Sequence, residues 1–173
     1  MKCPDIKTSR LDIKQIHIDY CDTPFTREVV GWINNPLIVR FSELRHRRHT
    51  CEGQERYINS FKDGSVYLGI WYAQQLIGTL SVHMDAPNKT ANVGILIGDH
   101  ARWGMGFGLE AWNAVVDRLL DEDVRKVETG CMSCNISMMS ICHRSGMVEE
   151  GRQEGHFLYH DVPMDLVHWG KSK

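Results

Sequence analysis

No stretch of this 173-residue chain stays apolar for the roughly 20 residues that crossing a bilayer requires, which excludes a helical membrane span. The opening Met1-Lys2-Cys3-Pro4-Asp5 lacks the basic-then-apolar pattern of a secretion signal, so a soluble protein of the cytoplasm is expected. A large excess of one sign of charge is missing too. Twenty basic residues face 22 acidic ones, a formal net charge of −2, and without a basic excess no nucleic-acid partner is expected. Internal repeats, low-complexity tracts and linkers are absent, and the length fits one domain over 1–173. The six cysteines, with no secretion signal before them, read as free thiols and not as a disulfide frame. Cys131-Met132-Ser133-Cys134 has CxxC spacing, but it ends a strand-like run over 126–133. Residues three apart on a strand point to opposite faces, and no second pair accompanies Cys142 and His143, so no metal is expected.

What is present is ordinary globular material, 42% apolar and 24% charged, arranged in short alternating elements. A strand is expected over 11–18 and a turn at Asp22-Thr23-Pro24. A helix over 25–33 follows, with Thr23 as its cap, Pro24 at its first position and Asn34-Asn35-Pro36 as its end. Thr50 opens a second helix that stops at Asp63-Gly64. Two β runs, 66–72 and 76–84, flank Ala73-Gln74-Gln75 as a hairpin. The nearly continuous apolar run 91–98 reads as a central strand. Leu109, Trp112, Val116 and Leu119 step along one helical face that closes at 121–123. A strand at 126–133, a helix at 136–144 ending in Ser145-Gly146, and strands at 148–159 and 165–169 complete the chain. The order predicts an α/β layout, an antiparallel meander ahead of a βαβ crossover.

Between the run at 91–98 and the amphipathic helix lies Trp103-Gly104-Met105-Gly106-Phe107-Gly108. Glycines let backbone N–H groups approach a ligand closely, and a helix N-terminus adds partial positive charge, so a phosphate-bearing ligand is expected here. No Gly-Lys-Ser/Thr follows, which excludes a P-loop. Several strands precede the glycines, unlike a dinucleotide fingerprint, whose first glycine follows the first strand.

These residues resemble the pyrophosphate signature of the GNAT superfamily, Gln/Arg-x-x-Gly-x-Gly/Ala, in the form used by its ribosomal-protein-acetyltransferase-like branch. Trp103 stands in place of the Gln/Arg, and Glu110-Ala111 complete the longer form. Asn135, eleven residues before Gly146-Met147 and with Glu150-Gly151 beyond, matches a second motif of the branch. Asn34-Asn35-Pro36 and the strand containing Asp165 also fit, so the resemblance spans nearly the whole chain.

The resemblance implies a single-domain acyl-CoA N-acyltransferase fold, a mixed and mostly antiparallel central sheet flanked by helices. It implies acetyl-CoA as co-substrate, lying between the strands at 91–98 and 126–133. Pantetheine would pair with the backbone of Ile95, Leu96 and Ile97, and pyrophosphate with Trp103, Gly104, Met105, Gly106, Phe107 and Gly108. Asn135 would serve the pantetheine region, besides capping the helix it precedes. The family transfers acetyl directly to a neutral amine, which calls for a base and for an acid at the departing thiolate.

The family's usual base, a Glu before the Ile/Val-Gly pair, is Asn92 here, which cannot take a proton. Glu43, His83 and Asp99 are candidate substitutes. The usual acid, a Tyr seven residues after the Asn, is Cys142 here, a thiol that could donate or simply a small buried residue. Arg45, Arg47 and Arg48, with His46 and His49 between and after them, lie ahead of the second helix, where the family places its acceptor. They suit an anionic acceptor such as a nucleotide-linked amino sugar, or a solvated polar loop. A protein N-terminal amine is the rival acceptor, and a non-catalytic acetyl-CoA-binding module is the rival class. Antiparallel edges and exposed aromatics such as Trp169 would suit a homodimer.

Overall fold

A computed structural model describes residues 5–17 and 23–173. One eight-stranded sheet runs in the order β1 (Ile6–Lys7), β2 (Leu11–Gln15), β3 (Val66–Tyr72), β4 (Gln75–Asp85), β5 (Thr90–Ile97), β6 (Lys126–Met132), β8 (Val162–Ser172), β7 (Val148–Tyr159). Every pairing is antiparallel except β5 with β6. The helices are α1 (Pro24–Ile33), α2 (Pro36–Val39), α3 (Cys51–Asn59), α4 (Phe107–Asp121) and α5 (Ile136–Arg144), with 3₁₀ turns at Glu43–His46 and His100–Arg102.

The expected first strand over 11–18 is shorter, ending at Gln15, and its last residue with the start of the Asp22 turn lies outside the described residues. The β1 strand, α2 and the two 3₁₀ turns are additional to the expected order. Helix starts follow local chemistry. Thr23 accepts from the Thr26 N–H with Pro24 at the first position of α1, Asn35 accepts from the Leu37 N–H, and Thr50 from the Gly53 N–H. Asn34-Asn35-Pro36 ends α1 as expected, but Pro36 also begins α2, because a missing N–H costs nothing in a first turn.

Two of the hairpins, β3–β4 and β7–β8, turn through paired left-handed residues without glycine. Ala73 and Gln74 sit at φ 47° and 65°, and His160 and Asp161 at 50° and 62°. Two consecutive left-handed residues match the right-handed twist of the flanking strands. The first turn is thus two residues long, with Gln75 already in β4.

One sheet face packs on α4 and α5. Phe107, Ala111, Trp112, Val115, Val116 and Leu119 of α4 are buried there against Leu80, Val82, Val93 and Val127. On the other face a smaller core gathers Val29, Trp32, Ile33 and Val39, and α3 lays Ile58 beside Tyr67. Trp169 belongs to the main core at 1% exposure, so it is not the exposed aromatic expected of a dimer surface.

Candidate active site

The parallel pairing of β5 with β6 lasts only for Thr90–Asn92 against Lys126–Glu128, after which β6 pairs with β8 alone and the sheet splays. Gly98 N–H donates to Ile77 O at 3.0 Å, which makes that pair a hydrogen-bonded one. Counting by two along the unbroken register, Leu96, Gly94 and Asn92 spend their peptide groups on β4. Val93, Ile95 and Ile97 turn theirs toward the opening. Of the three backbones expected to meet pantetheine, that of Leu96 is therefore committed to the sheet. The Ile97 carbonyl already accepts from the Trp103 indole N–H at 2.8 Å, which leaves Ile95 with both peptide groups in the gap.

A cavity of about 800 Å³ fills the splay. Residues 94–97 line one side, Gly130, Cys131, Met132 and Asn135 the other, and Trp103, Gly104, Gly106, Phe107 and Gly108 the end. Gly104 and Gly106 have φ of 75° and 82°, a region that side chains disfavour. Gly106 stands at the cap position of α4, and no side chain caps that helix. The starts of α1, α2, α3, α5 and both 3₁₀ turns each have a Thr, Asn, Ser or Asp cap. The first amides of α4 are thus left for an external anion, and the loop fits a pyrophosphate. Met105 is the exception in this run. It does not line the cavity, and its carbonyl accepts from Arg10 Nη1 at 3.1 Å. Arg102 and Arg144, which the sequence reading did not single out, also line the cavity, as does Arg40.

Asn135 accepts from the Met138 N–H at 3.2 Å and so caps α5 while standing on the cavity wall. Cys142 does not reach the cavity. It is fully buried in the main core, and burial pushes its thiol up to about 12, so of its two readings the small buried residue fits and the thiol donor does not. Burial likewise pushes Cys131 up to about 11. Among the described residues no group of three or more His, Cys, Asp and Glu is placed to hold a metal.

A second cavity of about 640 Å³ lies on the α1–α3 side and shares Ser42 and residues 94–96 with the first. Its wall carries Arg47, Arg48 and His49, then Arg56 and Tyr57 from α3, and Tyr67, Thr79 and Ser81 from β3 and β4. No Asp or Glu lines it among the described residues. Burial pushes Tyr67 up to about 12 and raises Tyr57 above 10.0, so both stay protonated phenols at neutral pH.

Arg45 is not on that wall. Its guanidinium donates to Ser42 O at 3.0 Å and Leu158 O at 3.1 Å and pairs with Glu43 at 3.0 Å, fastening the 3₁₀ turn to β7. Three partners hold it away from any acceptor, which corrects its expected binding role. Glu43 lines the larger cavity but is paired with Arg45 and His46. His83 lines neither cavity. It stacks on Phe61 at 4.7 Å, and burial lowers its pKa. Asp99 caps Ala101 and pairs with Arg102 at 3.3 Å. No helix is long and apolar enough to cross a membrane among the described residues.

Comparison with known proteins agrees with this geometry. The sequence model of the acetyltransferase (GNAT) domain matches residues 10–148. A Bacillus subtilis (strain 168) protein named "Probable N-acetyltransferase YjcK" is 31% identical over 129 residues, covering 68% of this chain and 71% of its own. Among solved structures, spermidine N-acetyltransferase from Vibrio cholerae, in complex with CoA and spermine, has the same fold at a TM-score of 0.81 and 18% identity. The match covers 95% of this chain and 96% of that one. RimL, a ribosomal L7/L12 alpha-N-protein acetyltransferase in complex with coenzyme A, superposes at 0.79 with 14% identity over 97% of each chain.

Proposed function

The chain belongs to the GNAT acetyltransferase family and is an acetyl-CoA-dependent N-acetyltransferase, and on that premise we propose that its acceptor is a small primary amine carrying negative charge, as a nucleotide-linked amino sugar does. One observation carries the reading. The two cavities meet at residues 94–96, and the smaller has three arginines and a histidine on its wall with no carboxylate among the described residues.

Acetyl-CoA supplies the activated acyl group. The uncapped start of α4 with Gly104 and Gly106 would hold its pyrophosphate, with Arg40, Arg102 and Arg144 offsetting phosphate charge. The peptide groups of Ile95 would hold the pantetheine arm, beside Asn135. Gly94 stands at the junction between the cavities, where a Cβ would crowd Ser81 Oγ at 2.9 Å. On the acceptor side Arg47, Arg48 and Arg56 form no ion pair among the described residues and stay available for phosphate or carboxylate. A polycation, the kind of ligand bound by the spermidine-acetylating neighbour, would meet like charge on this wall.

The test has two parts. Calorimetry compares acetyl-CoA binding by the wild type and by Gly106→Trp, where binding is expected only in the former. Turnover is then measured on a nucleotide-linked amino sugar, glucosamine 6-phosphate, spermidine and a peptide with a free N-terminus. The two anionic amines are expected to react fastest. Preference for spermidine would refute the anionic acceptor, preference for the peptide would assign a protein N-terminus, and binding without any turnover would leave a non-catalytic module.

A further inference from the structure

The missing carboxylate at Asn92 leaves open which group takes the proton from the acceptor ammonium, and we propose that His49 is that base, a role resting on the acetyltransferase reading above. The ionisable side chains of the acceptor wall are Arg47, Arg48 and Arg56, Tyr57 and Tyr67, and His49. Arginine cannot give up its proton near neutral pH. The two phenols are raised further out of reach by burial. Imidazole is the one remaining group that exchanges a proton in that range.

The position of His49 is fixed at three points. Its backbone N–H donates to Asn34 Oδ1 at 2.8 Å, and its carbonyl accepts from Asn34 Nδ2 at 2.9 Å. Asn34 is itself the C-cap of α1, so the loop is tied to a helix end. The ring Nε2 lies 2.9 Å from Leu44 O. A carbonyl oxygen only accepts, so Nε2 carries the ring hydrogen and Nδ1 keeps the lone pair. The neutral ring is therefore held in the tautomer whose open nitrogen is a base, on a half-buried residue of the acceptor wall.

In the reaction the acceptor ammonium gives one proton to Nδ1. Its nitrogen then bonds to the acetyl carbon as the carbon–sulfur bond breaks, and a second nitrogen-bound proton passes to the departing sulfur. The imidazolium returns its proton to solvent. The product amide keeps one N–H, and no oxidant or metal enters the balance.

His49→Gln tests this, because the glutamine amide can still donate to Leu44 O while offering no basic nitrogen. The acceptor is whichever amine of the panel above turns over fastest. At pH 7 kcat is expected to fall by roughly 100-fold or more with the KM for acetyl-CoA unchanged. The deficit should shrink about tenfold per pH unit as solvent supplies free amine, whereas a merely structural histidine would give a deficit independent of pH. A kcat within about threefold of wild type, or a pH-independent loss, overturns the proposal. Nitrogen-15 spectra of the free wild-type protein, assigned with the variant, give a readout that needs no acceptor. An Nε2–H tautomer of the neutral ring is expected, and an Nδ1–H tautomer would overturn the proposal. If no panel amine is acetylated, the anionic-acceptor reading fails by itself, and the spectrum still decides the tautomer of the ring.

Discussion

Arg10 and Glu110, a hundred residues apart, meet with Nε and Nη2 of the guanidinium each 2.6 Å from one carboxylate oxygen. The other oxygen accepts from Thr8 Oγ1 at 2.5 Å, Ser9 Oγ at 3.2 Å and the Arg10 N–H at 3.1 Å. Arg10 also reaches Met105 O and lies over the Phe107 ring at 4.3 Å, so the turn between β1 and β2 braces the glycine loop.

Glu110→Gln is therefore expected to weaken the brace by about 1–2 kcal/mol at neutral pH. Burial pushes this carboxyl up, but the hydrogen bonds from Thr8 and Arg10 and the Arg10 charge outweigh it and hold the pKa below 4.5. A depressed carboxylate contributes stability above its unfolded pKa and loses it as pH falls through the folded one. The wild-type advantage in urea midpoint should thus persist at pH 7 and disappear in acid, below 4.5. An advantage that is the same in acid would contradict the assignment.

Gly106→Ala should weaken acetyl-CoA binding as well as the fold. The added Cβ would meet only Arg10 Nη2 at an ordinary 3.5 Å, so the cost lies in the left-handed φ, about 1–2 kcal/mol. Relaxation of that strain would turn the loop amides from the ligand. Calorimetry is expected to show a loss of roughly tenfold or more, with a thermal midpoint lowered by about 2–6 °C.

Gly98→Ala attacks the fold from the other side of the sheet. A Cβ there would occupy the indole of Trp32, whose ring lies flat against this glycine at the end of β5. Overpacking of this kind costs about 1–3 kcal/mol, and thermal unfolding should show it directly. Trp32→Leu in the same chain should recover part of the loss, which distinguishes steric conflict from backbone strain.

The β3–β4 turn can be improved. Replacing Ala73-Gln74 by Asn-Gly supplies the residues that two left-handed positions favour. A gain of about 1 kcal/mol, or roughly 2–4 °C in Tm, is expected with acetyl-CoA affinity unchanged.

The parts of the fold written in local chemistry were legible from sequence. Thr23-Pro24 and Thr50 mark helix starts, the spacing of Leu109, Trp112, Val116 and Leu119 marks the buried face of α4, and the α5 bounds match those expected. The glycine loop was legible because positive φ demands glycine. The hairpin loops of Ala73-Gln74 and His160-Asp161 were harder, since alanine, glutamine and histidine give no sign of a left-handed turn. The roles of Arg45, Arg47 and Arg48 could not be separated in an irregular segment without a period to tell their directions apart. Cys142 and Ile141 are neighbours on α5, yet only Ile141 lines the cavity, a distinction set by helix rotation against the core. His49 could not be singled out, because its orientation depends on Asn34, fifteen residues earlier, and on one carbonyl.

Strand β5 is a partition whose main chain and side chains serve different spaces. Its odd positions offer main-chain groups to the opening, a form of contact that hardly depends on which side chain is present. Of its even positions, Gly94 and Leu96 line the smaller cavity. Main-chain contact at Ile95 does not depend on its side chain, which packs against the main core, whereas Gly94 and Leu96 border both cavities. A change of side chain at Leu96 would therefore reach both spaces at once, while the main-chain groups of Ile95 would stay in place.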